Sequence, residues 1–164
     1  MAINKTLAMR LLEGKKVNYQ AIQYDASERD AEMIALQLSV PPEQVFKTLV
    51  VVPPDGSRHK PLLAVIPANY QLNLKKVAKL LGVKKVKMAS HKQAEQMTGL
   101  QVGGISPLAL INKGFAIYLD ELALAQPHIF VSAGERGTQI RLTPADLRKV
   151  TKAKLADLSS PTES

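Results

Sequence analysis

The chain has 164 residues, of which 46% are hydrophobic and 22% charged, and 22 Lys and Arg against 14 Asp and Glu give a formal net charge of +8. This length suits one domain, and the composition is typical of a globular protein and excludes general disorder. Cysteine is absent, which excludes disulfide frameworks, thiolate metal sites and cysteine nucleophiles.

The sequence has no stretch with the apolar length of a signal-peptide core or a membrane span. Residues 1–17, where a signal peptide would lie, are interrupted by charged residues such as Lys5, Arg10 and Glu13. We therefore expect a cytoplasmic protein. The excess of positive charge suits a polyanionic partner such as nucleic acid, although a basic protein without such a partner would have the same composition.

The first part of the chain is predicted to form a helix, a strand and a second helix. The apolar stripe of residues 4–13 predicts a helix that Gly14 ends, because glycine readily adopts the left-handed conformation. Residues 17–24 alternate in the manner of a strand. Ser27 is then the predicted cap of a helix over roughly 28–38.

The middle of the chain contains a predicted hairpin followed by capped helices. The β-rich runs 46–52 and 62–66 flank the turn residues Pro53-Pro54-Asp55-Gly56 and predict two paired strands. Asn73 predicts the start of a helix over about 74–81. The next predicted elements are a short strand over 84–88 and a helix that Ser90 caps.

The last part begins with a glycine-rich loop over 98–107, after which apolar residues resume at 115–119. Two strand-like segments, 128–132 and 138–142, precede a helix that begins at Thr143-Pro144-Ala145-Asp146. Strands that arrive as hairpins with helices between them predict a mixed α/β sheet rather than a doubly wound one. We expect one domain over residues 1–158 and a polar tail over 159–164.

The search for known catalytic motifs excludes several classes of site. The three histidines, His59, His91 and His128, stand far apart with no paired carboxylate at ligand spacing, so no metal site is expected. Gly104-Ile105-Ser106-Pro107-Leu108 supplies only the first half of a serine-hydrolase elbow. No dinucleotide or P-loop motif occurs, and we expect no cofactor.

Gly103-Gly104-Ile105-Ser106-Pro107 is a candidate functional loop, because two glycines permit unusual backbone conformations and proline stiffens the exit. Such a loop can direct backbone N–H groups at a developing oxyanion, where each donor contributes about 10²–10³ in rate. A tight turn between packed elements explains the same residues equally well.

Lys47 is a single cation in the otherwise apolar strand Val45-Phe46-Lys47-Thr48-Leu49-Val50. Buried lysines are rare unless they are paired or functional, so Lys47 is a candidate site residue. The alternative is a lysine on an edge strand whose ammonium reaches water.

Gly134-Glu135-Arg136-Gly137 has the GxxG pattern of the loop with which KH domains clamp a nucleic-acid backbone. A KH loop joins two helices, whereas both flanks here are strand-like. A hairpin turn is therefore the preferred interpretation, and an RNA-binding module without catalysis stays as an alternative.

Four blocks in this order resemble the YbaK/EbsC family and the related editing domain of bacterial prolyl-tRNA synthetases. The similarity covers roughly residues 11–158, and its specific blocks are Val45 to Val50, Leu74 to Ala78, Val102 to Leu108 and Val131 to Gly137. The resemblance implies a mixed, partly barrel-like β-sheet flanked by helices, and hydrolysis of an aminoacyl ester at the tRNA 3′ end. It implies neither cofactor nor metal.

The resemblance also assigns site residues. Lys47 corresponds to the hallmark lysine of the family, which is thought to hold the terminal adenosine and its phosphate, and Gly103 and Gly104 belong to the active loop. The pocket positions are Tyr24, Thr48, Ile105, Ser106, Pro107, Ser132 and Gly134. In the cysteine-specific branch the thiol of the substrate is thought to attack the ester, so the enzyme mainly positions and polarises.

The resemblance implies mischarged tRNA as the partner, with Cys-tRNA(Pro) as the first candidate. It also implies prolyl-tRNA synthetase as a second partner. From the charge pattern itself, Lys75, Lys76 and Lys79 on one predicted helix are candidate RNA contacts. The chain differs from the usual family pattern at Ala109, Ala133, Glu135 and Gln139, and it lacks a pocket aromatic after Tyr24. A deacylase for alanine or another small amino acid is therefore also considered.

Overall fold

The computed structural model describes residues 5–162. Each of its five α-helices has eight residues, and each begins at a side chain that accepts a hydrogen bond from the first turn. The helices are α1 (Leu7–Gly14), α2 (Ala31–Leu38), α3 (Leu74–Leu81), α4 (His91–Thr98) and α5 (Pro144–Thr151).

The caps Asn73, Ser90 and Thr143 are confirmed as predicted from the sequence. The predicted cap of α2 at Ser27 is wrong, because Asp30 occupies that position. Ser27 instead donates its hydroxyl and its backbone N–H to Asp25 Oδ1, at 2.8 and 3.0 Å. This local turn competes with helix formation and delays the helix start.

The strands form a mixed α/β fold, as predicted. They are β1 (Gln20–Gln23), β2 (Phe46–Val52), β3 (Leu62–Pro67), β4 (Tyr70–Leu72), β5 (Lys87–Met88), β6 (Ala116–Asp120), β7 (Ile129–Ser132), β8 (Thr138–Leu142), β9 (Lys154–Ala156) and β10 (Ser159–Pro161). The largest sheet has the order β5-β2-β3-β6-β9, with antiparallel pairs around β2 and parallel pairs around β6. A second sheet has the order β1-β8-β7, and β10 pairs with β4.

The five-stranded sheet carries a hydrophobic core on each face. All six residues of β3 are buried, which explains its continuous apolar sequence. Leu63 and Val65 pack with α1 and the second sheet, while Leu62 and Ala64 pack with α3. This alternation places α3 on the opposite face of the sheet from the first cluster.

The predicted hairpin of β2 and β3 is confirmed, and β2 has a partly open edge. β5 pairs only with Val51 and Val52, so within the described residues the N-terminal half of β2 has a continuous strand partner on one side only. An isolated bridge between Val45 and Phe130 connects this half to the second sheet. The two larger sheets therefore meet along this edge, as expected of a partly barrel-like arrangement.

The predicted polar tail over 159–164 needs correction for residues 159–161, which form β10. Ser159 is buried, and its hydroxyl donates a 2.7 Å hydrogen bond to Asp120, which is itself fully buried. The folded domain thus continues past residue 158, while residues 163 and 164 lie outside the described range. No helix among residues 5–162 is long and apolar enough to cross a membrane.

Candidate functional site

A cleft of about 180 Å³ opens at the partly open edge of β2, between the two larger sheets. Its walls are residues 46–50 of β2, the start of α4, the loop at Gly103 and the strands β7 and β8. Pockets for drug-sized ligands are usually about 300–1,000 Å³, so this cleft suits a small group at the end of a larger molecule.

Lys47 lies in this cleft with its side chain half-buried. Its Nζ donates a 3.1 Å hydrogen bond to the carbonyl oxygen of Ala68. Among the described residues no carboxylate lies within 4.0 Å of Nζ. Burial lowers the pKa of Lys47, and the more distant charges of Glu32 and Asp30 oppose this change. The ammonium is therefore an unpaired cation with donors left for an anion.

Two residues that line the cleft, Thr48 and Gln139, each have a side-chain oxygen without a hydrogen-bond partner among the described residues. Thr48 Oγ1 and Gln139 Oε1 are both buried and have no hydrogen-bond partner, and the Gln139 residue as a whole is only 3% exposed. Gln139 lies directly opposite Ser132 in the antiparallel pair of β7 and β8, which brings both side chains to one face. A buried polar group without a partner costs about 1–3 kcal/mol, so these atoms are suited to contact a ligand.

The open edge of β2 also presents backbone groups. The carbonyl of Val50 accepts a 3.0 Å hydrogen bond from Ala89 on this side of the strand. Because alternate residues of a strand direct their backbone groups to the same side, the N–H and carbonyl of Thr48 face the open edge as well.

The loop from Gly103 to Pro107 is more buried than the sequence indicated, since Gly104 to Leu108 are all buried. Gly103 has φ +92°, a conformation that favours glycine. A Cβ on Gly104 would lie 2.9 Å from the backbone N of Arg136. Arg136 Nε in turn donates a 2.7 Å hydrogen bond to the carbonyl oxygen of Val102. The loop is thus tightly packed on the β7–β8 turn.

The expectation that both glycines present free N–H groups needs correction. The N–H of Gly104 donates to the carbonyl of Gln101 at 2.8 Å, and that of Val102 to Glu95 Oε2 at 2.8 Å. Gly103 and Ile105 line the cleft, and no described residue accepts a hydrogen bond from their N–H groups. Among the loop residues that line the cleft, these two therefore keep an N–H group without a protein acceptor.

The structure brings together only part of the site suggested by sequence. Lys47, Thr48, Gly103, Ile105 and Ser132 line the cleft. Ser132 Oγ accepts the N–H of Gly134 at 3.1 Å, and Ser106 Oγ accepts that of Leu108 at 3.2 Å. The residues that the cleft lining does not include are Tyr24, Gly104, Ser106, Pro107 and Gly134.

Two of these residues, Tyr24 and Gly134, lie in elements that adjoin the cleft. Tyr24 packs in a core cluster with Ile34 and Val45, which do line the cleft, and its hydroxyl is buried without a partner. Gly134, with φ +101°, forms part of the turn between β7 and β8. This turn joins antiparallel strands, so the preferred hairpin interpretation of the GxxG sequence is confirmed and the KH interpretation is wrong.

Among the polar and charged residues that line the cleft, three were not predicted from the sequence, namely Arg29, His91 and Gln139. In the sequence Gln139 differs from the family pattern, and a polar residue in a strand with apolar neighbours is itself a signal. Arg29 and His91 are exposed and precede or begin helices, where nothing in the local sequence distinguishes them from surface residues.

The lysines predicted to contact RNA lie on α3, which contributes no residue to the cleft lining. Lys75 and Lys79 are exposed, but Lys76 Nζ lies 2.9 Å from Asp157 Oδ1 and 2.7 Å from the carbonyl oxygen of Ser159. Lys76 therefore holds the C-terminal strand in place. Among residues 5–162 no cluster of three or more His, Asp or Glu side chains is arranged to hold a metal ion.

The family model for the aminoacyl-tRNA editing domain matches residues 25–150, which include the whole cleft. The chain belongs to the aminoacyl-tRNA editing domain family. Membership makes it an aminoacyl-tRNA deacylase whose partner is mischarged tRNA. A relative from Enterococcus faecalis, named "Putative Cys-tRNA(Pro)/Cys-tRNA(Cys) deacylase EbsC", is 42% identical over 95% of this chain and 94% of its own length.

Proteins similar to this chain include a separate chain of about the same length and a part of a larger enzyme. A crystal structure described as "a putative trans-editing enzyme for prolyl tRNA synthetase" is 25% identical, covers 96% of this chain and 99% of its own, and superposes with a TM-score of 0.76. The proline–tRNA ligase of Geobacter metallireducens is 34% identical over 51% of this chain, which corresponds to 14% of the ligase. The match to the ligase is thus confined to a small part of that enzyme.

Proposed function

We propose that this protein is a trans-editing deacylase that hydrolyses the ester bond of Cys-tRNA(Pro). Family membership supports the reaction class, and the name of the Enterococcus faecalis relative supports the amino acid and the tRNA. The small cleft supports a short side chain on the amino acid.

The observation that carries this proposal is the unpaired ammonium of Lys47 within the cleft. A tRNA 3′ end combines a phosphate with an aminoacyl ester, and a lone cation beside a small cavity suits that combination. We assign Lys47 to the phosphate of the terminal nucleotide, because charge-assisted hydrogen bonds of this type are roughly twice as strong as neutral ones.

The remaining cleft groups are assigned to the ester and its amino acid. The N–H groups of Gly103 and Ile105 polarise the ester carbonyl, and each well-placed donor of this kind contributes about 10²–10³ in rate. Thr48 Oγ1 and Gln139 Oε1 accept hydrogen bonds from the substrate, whose ribose hydroxyl and α-ammonium are donors. This pairing would relieve the desolvation cost that both atoms bear in the free protein.

The cleft offers no activated protein nucleophile. Cysteine is absent from the chain, and the Ser132 hydroxyl contacts a backbone N–H rather than a histidine or a carboxylate. We therefore assign the attack to the substrate thiol. A carbon–sulfur bond forms at the ester carbonyl, the bond to the ribose oxygen breaks, and that oxygen takes up the thiol proton. Water then opens the cyclic thioester to free cysteine.

Single-turnover hydrolysis of tRNA(Pro) charged with Cys, Ser, Ala or Pro tests this proposal. Serine differs from cysteine only by oxygen for sulfur, and a pocket alone discriminates such near-isosteres by about 1–3 kcal/mol, or up to roughly 200-fold. We expect a larger preference for Cys. Equal Cys and Ser rates would refute thiol assistance, faster Ala cleavage would reassign the substrate, and tRNA binding without hydrolysis would reduce the protein to an RNA-binding module.

We also propose that the protein acts beside prolyl-tRNA synthetase. The match to a small part of proline–tRNA ligases supports a shared task. In a charging reaction that contains synthetase, cysteine and tRNA(Pro), we expect the added protein to suppress accumulation of Cys-tRNA(Pro) without reducing Pro-tRNA(Pro).

A further inference from the structure

A basic segment runs along the edge of the five-stranded sheet and ends at the cleft. It comprises Lys84, Lys85, Lys87 and Lys92, and is called here the basic ridge. β5 fixes its middle, where Lys87 pairs with Val52 of β2. The residues that follow within the segment, Met88, Ala89 and His91, line the cleft itself. The ridge is therefore physically continuous with the cleft mouth.

No lysine of the basic ridge forms an ion pair with another described residue. All four lysines are exposed, and residues 83–94 contain no Asp or Glu. Asp55 lines the same surface pocket as Lys85 and Lys87, but it forms no ion pair with either of them. Lys92 also lies in the first turn of α4, where a cation opposes the helix dipole. A bound anion would lower both the mutual repulsion of the four lysines and the unfavourable interaction of Lys92 with the helix dipole.

The basic ridge differs from α3 in both position and availability. One of the three α3 lysines is already bound to Asp157, and α3 covers the face of the sheet opposite the first core cluster. Because Met88, Ala89 and His91 line the cleft, a molecule whose end occupies the cleft can extend along the ridge. The phosphates nearest to the esterified 3′ end are the polyanion that meets this requirement.

We propose that the basic ridge binds the sugar–phosphate backbone of the tRNA acceptor end and leads the aminoacyl ester into the cleft. This assignment rests on the proposed deacylase function. Phosphate contacts of this kind position a nucleic acid without selecting its sequence. The ridge thus supplies affinity for tRNA, while the cleft selects the amino acid.

The test uses the triple variant Lys84→Gln, Lys85→Gln and Lys92→Gln, which lowers the formal charge of +8 by 3 and spares β5. Its affinity for uncharged tRNA is measured by filter binding over a range of salt concentrations. Loss of three contacts should reduce the logarithmic salt slope by about 2 to 3, and near 0.15 M salt this corresponds to a roughly 50- to 200-fold weaker Kd.

A matched control removes the same charge elsewhere. Lys15→Gln, Lys113→Gln and Lys149→Gln change three exposed lysines outside the cleft lining. We expect this variant to lose much less affinity than the ridge variant. Equal losses in the two triple variants would mean that only net charge matters, and would overturn the proposal.

Two further measurements separate the ridge from α3 and from the cleft. The pair Lys75→Gln and Lys79→Gln should bind tRNA more tightly than the ridge variant, and the reverse order would overturn the proposal in favour of α3. The ridge variant should cleave cysteinyl adenosine, which lacks the upstream phosphates, at the wild-type rate, and slow cleavage would place the defect in the cleft. If the wild-type protein cleaves no ester, the proposed deacylase function is refuted. The comparison of tRNA affinities still shows whether the basic ridge binds tRNA.

Discussion

Replacing Lys47 by methionine removes the ammonium and keeps most of the apolar stem, so it isolates the charge. If Lys47 binds the substrate phosphate, the variant loses one charge-assisted hydrogen bond, which is worth about 1.5–3 kcal/mol. At 1.4 kcal/mol per factor of ten, kcat/KM should fall about 10- to 150-fold. Single-turnover hydrolysis of Cys-tRNA(Pro), corrected for spontaneous hydrolysis, measures this change.

The same substitution should leave stability nearly unchanged. The carbonyl oxygen of Ala68 loses a hydrogen bond of 3.1 Å, a net cost of about 1 kcal/mol. The loss of a partly buried charge offsets this cost, because burial disfavours the ammonium. We therefore expect a change within about 1 kcal/mol in the free energy of urea unfolding.

The pH dependence of Lys47 has a definite sign. Burial lowers its pKa in the folded protein below the ordinary 10.5, so the unfolded chain holds this proton to higher pH. The free energy of unfolding should consequently rise between the lowered pKa and about 10.5, and Lys47→Met should abolish this rise. In the same pH window wild-type kcat/KM should fall, since a neutral amine no longer holds an anion.

Two controls make the Lys47 prediction decisive. Lys60→Met changes an exposed lysine outside the cleft lining and should leave kcat/KM unchanged. Lys47→Arg keeps the charge and should retain more activity than Lys47→Met. A folded Lys47→Met protein with wild-type kcat/KM would refute the assignment of this residue.

The remaining predictions concern the cleft wall, the loop and metal dependence. Gln139→Leu should raise the free energy of unfolding by up to about 1–3 kcal/mol, because it removes an unpartnered acceptor, while kcat/KM falls; a destabilised variant would contradict this view. Gly104→Ala should cost about 1–3 kcal/mol in urea unfolding, since its Cβ would lie 2.9 Å from Arg136 N, whereas Gly14→Ala, with no atom within 4 Å, should not destabilise. Prolonged dialysis against a chelator should leave single-turnover rates unchanged, and activity restored only by added zinc would reveal a metal site.

Elements whose signals are local were predicted well from the sequence. The helix after Asn73 and the helix after Ser90 each begin at a side chain that bonds the first turn, and both signals lie within four residues. The hairpin around Pro53-Pro54-Asp55-Gly56 follows equally from turn chemistry and flanking β-rich runs.

Features that depend on distant partners were not predicted. The polar segment 159–161 became a strand because the fully buried carboxylate of Asp120, about 40 positions earlier, accepts hydrogen bonds from Leu158 and Ser159. The burial of the loop after Gly103 likewise depends on the backbone at Glu135 and Arg136. No pattern within either segment encodes such contacts.

The candidate site likewise contains residues that local sequence predicts and residues whose role depends on distant partners. Lys47 was identifiable as one charge in an apolar strand, but its lack of a carboxylate partner is visible only in three dimensions. Gln139 gains its significance only from its position opposite Ser132 and its empty acceptor. The lysines of the basic ridge resemble any exposed charge run until β5 places them beside the cleft.

The buried polar groups of this fold are of two kinds, those with hydrogen-bond partners and those without. Asp120 is fully buried and accepts three hydrogen bonds, of 2.9, 3.1 and 2.7 Å, so both of its oxygens have partners and it holds the C-terminal strand. Thr48 is half-buried and Gln139 is buried; both line the cleft and have a side-chain oxygen without a partner, and Lys47 beside them lacks a counter-charge. A chain under selection for stability alone would replace such groups with apolar ones, because unpartnered polar atoms destabilise the folded state. Their concentration around one cleft, whose Ser132 hydroxyl contacts a backbone N–H rather than a histidine or a carboxylate, favours a site that works by holding a reactive substrate.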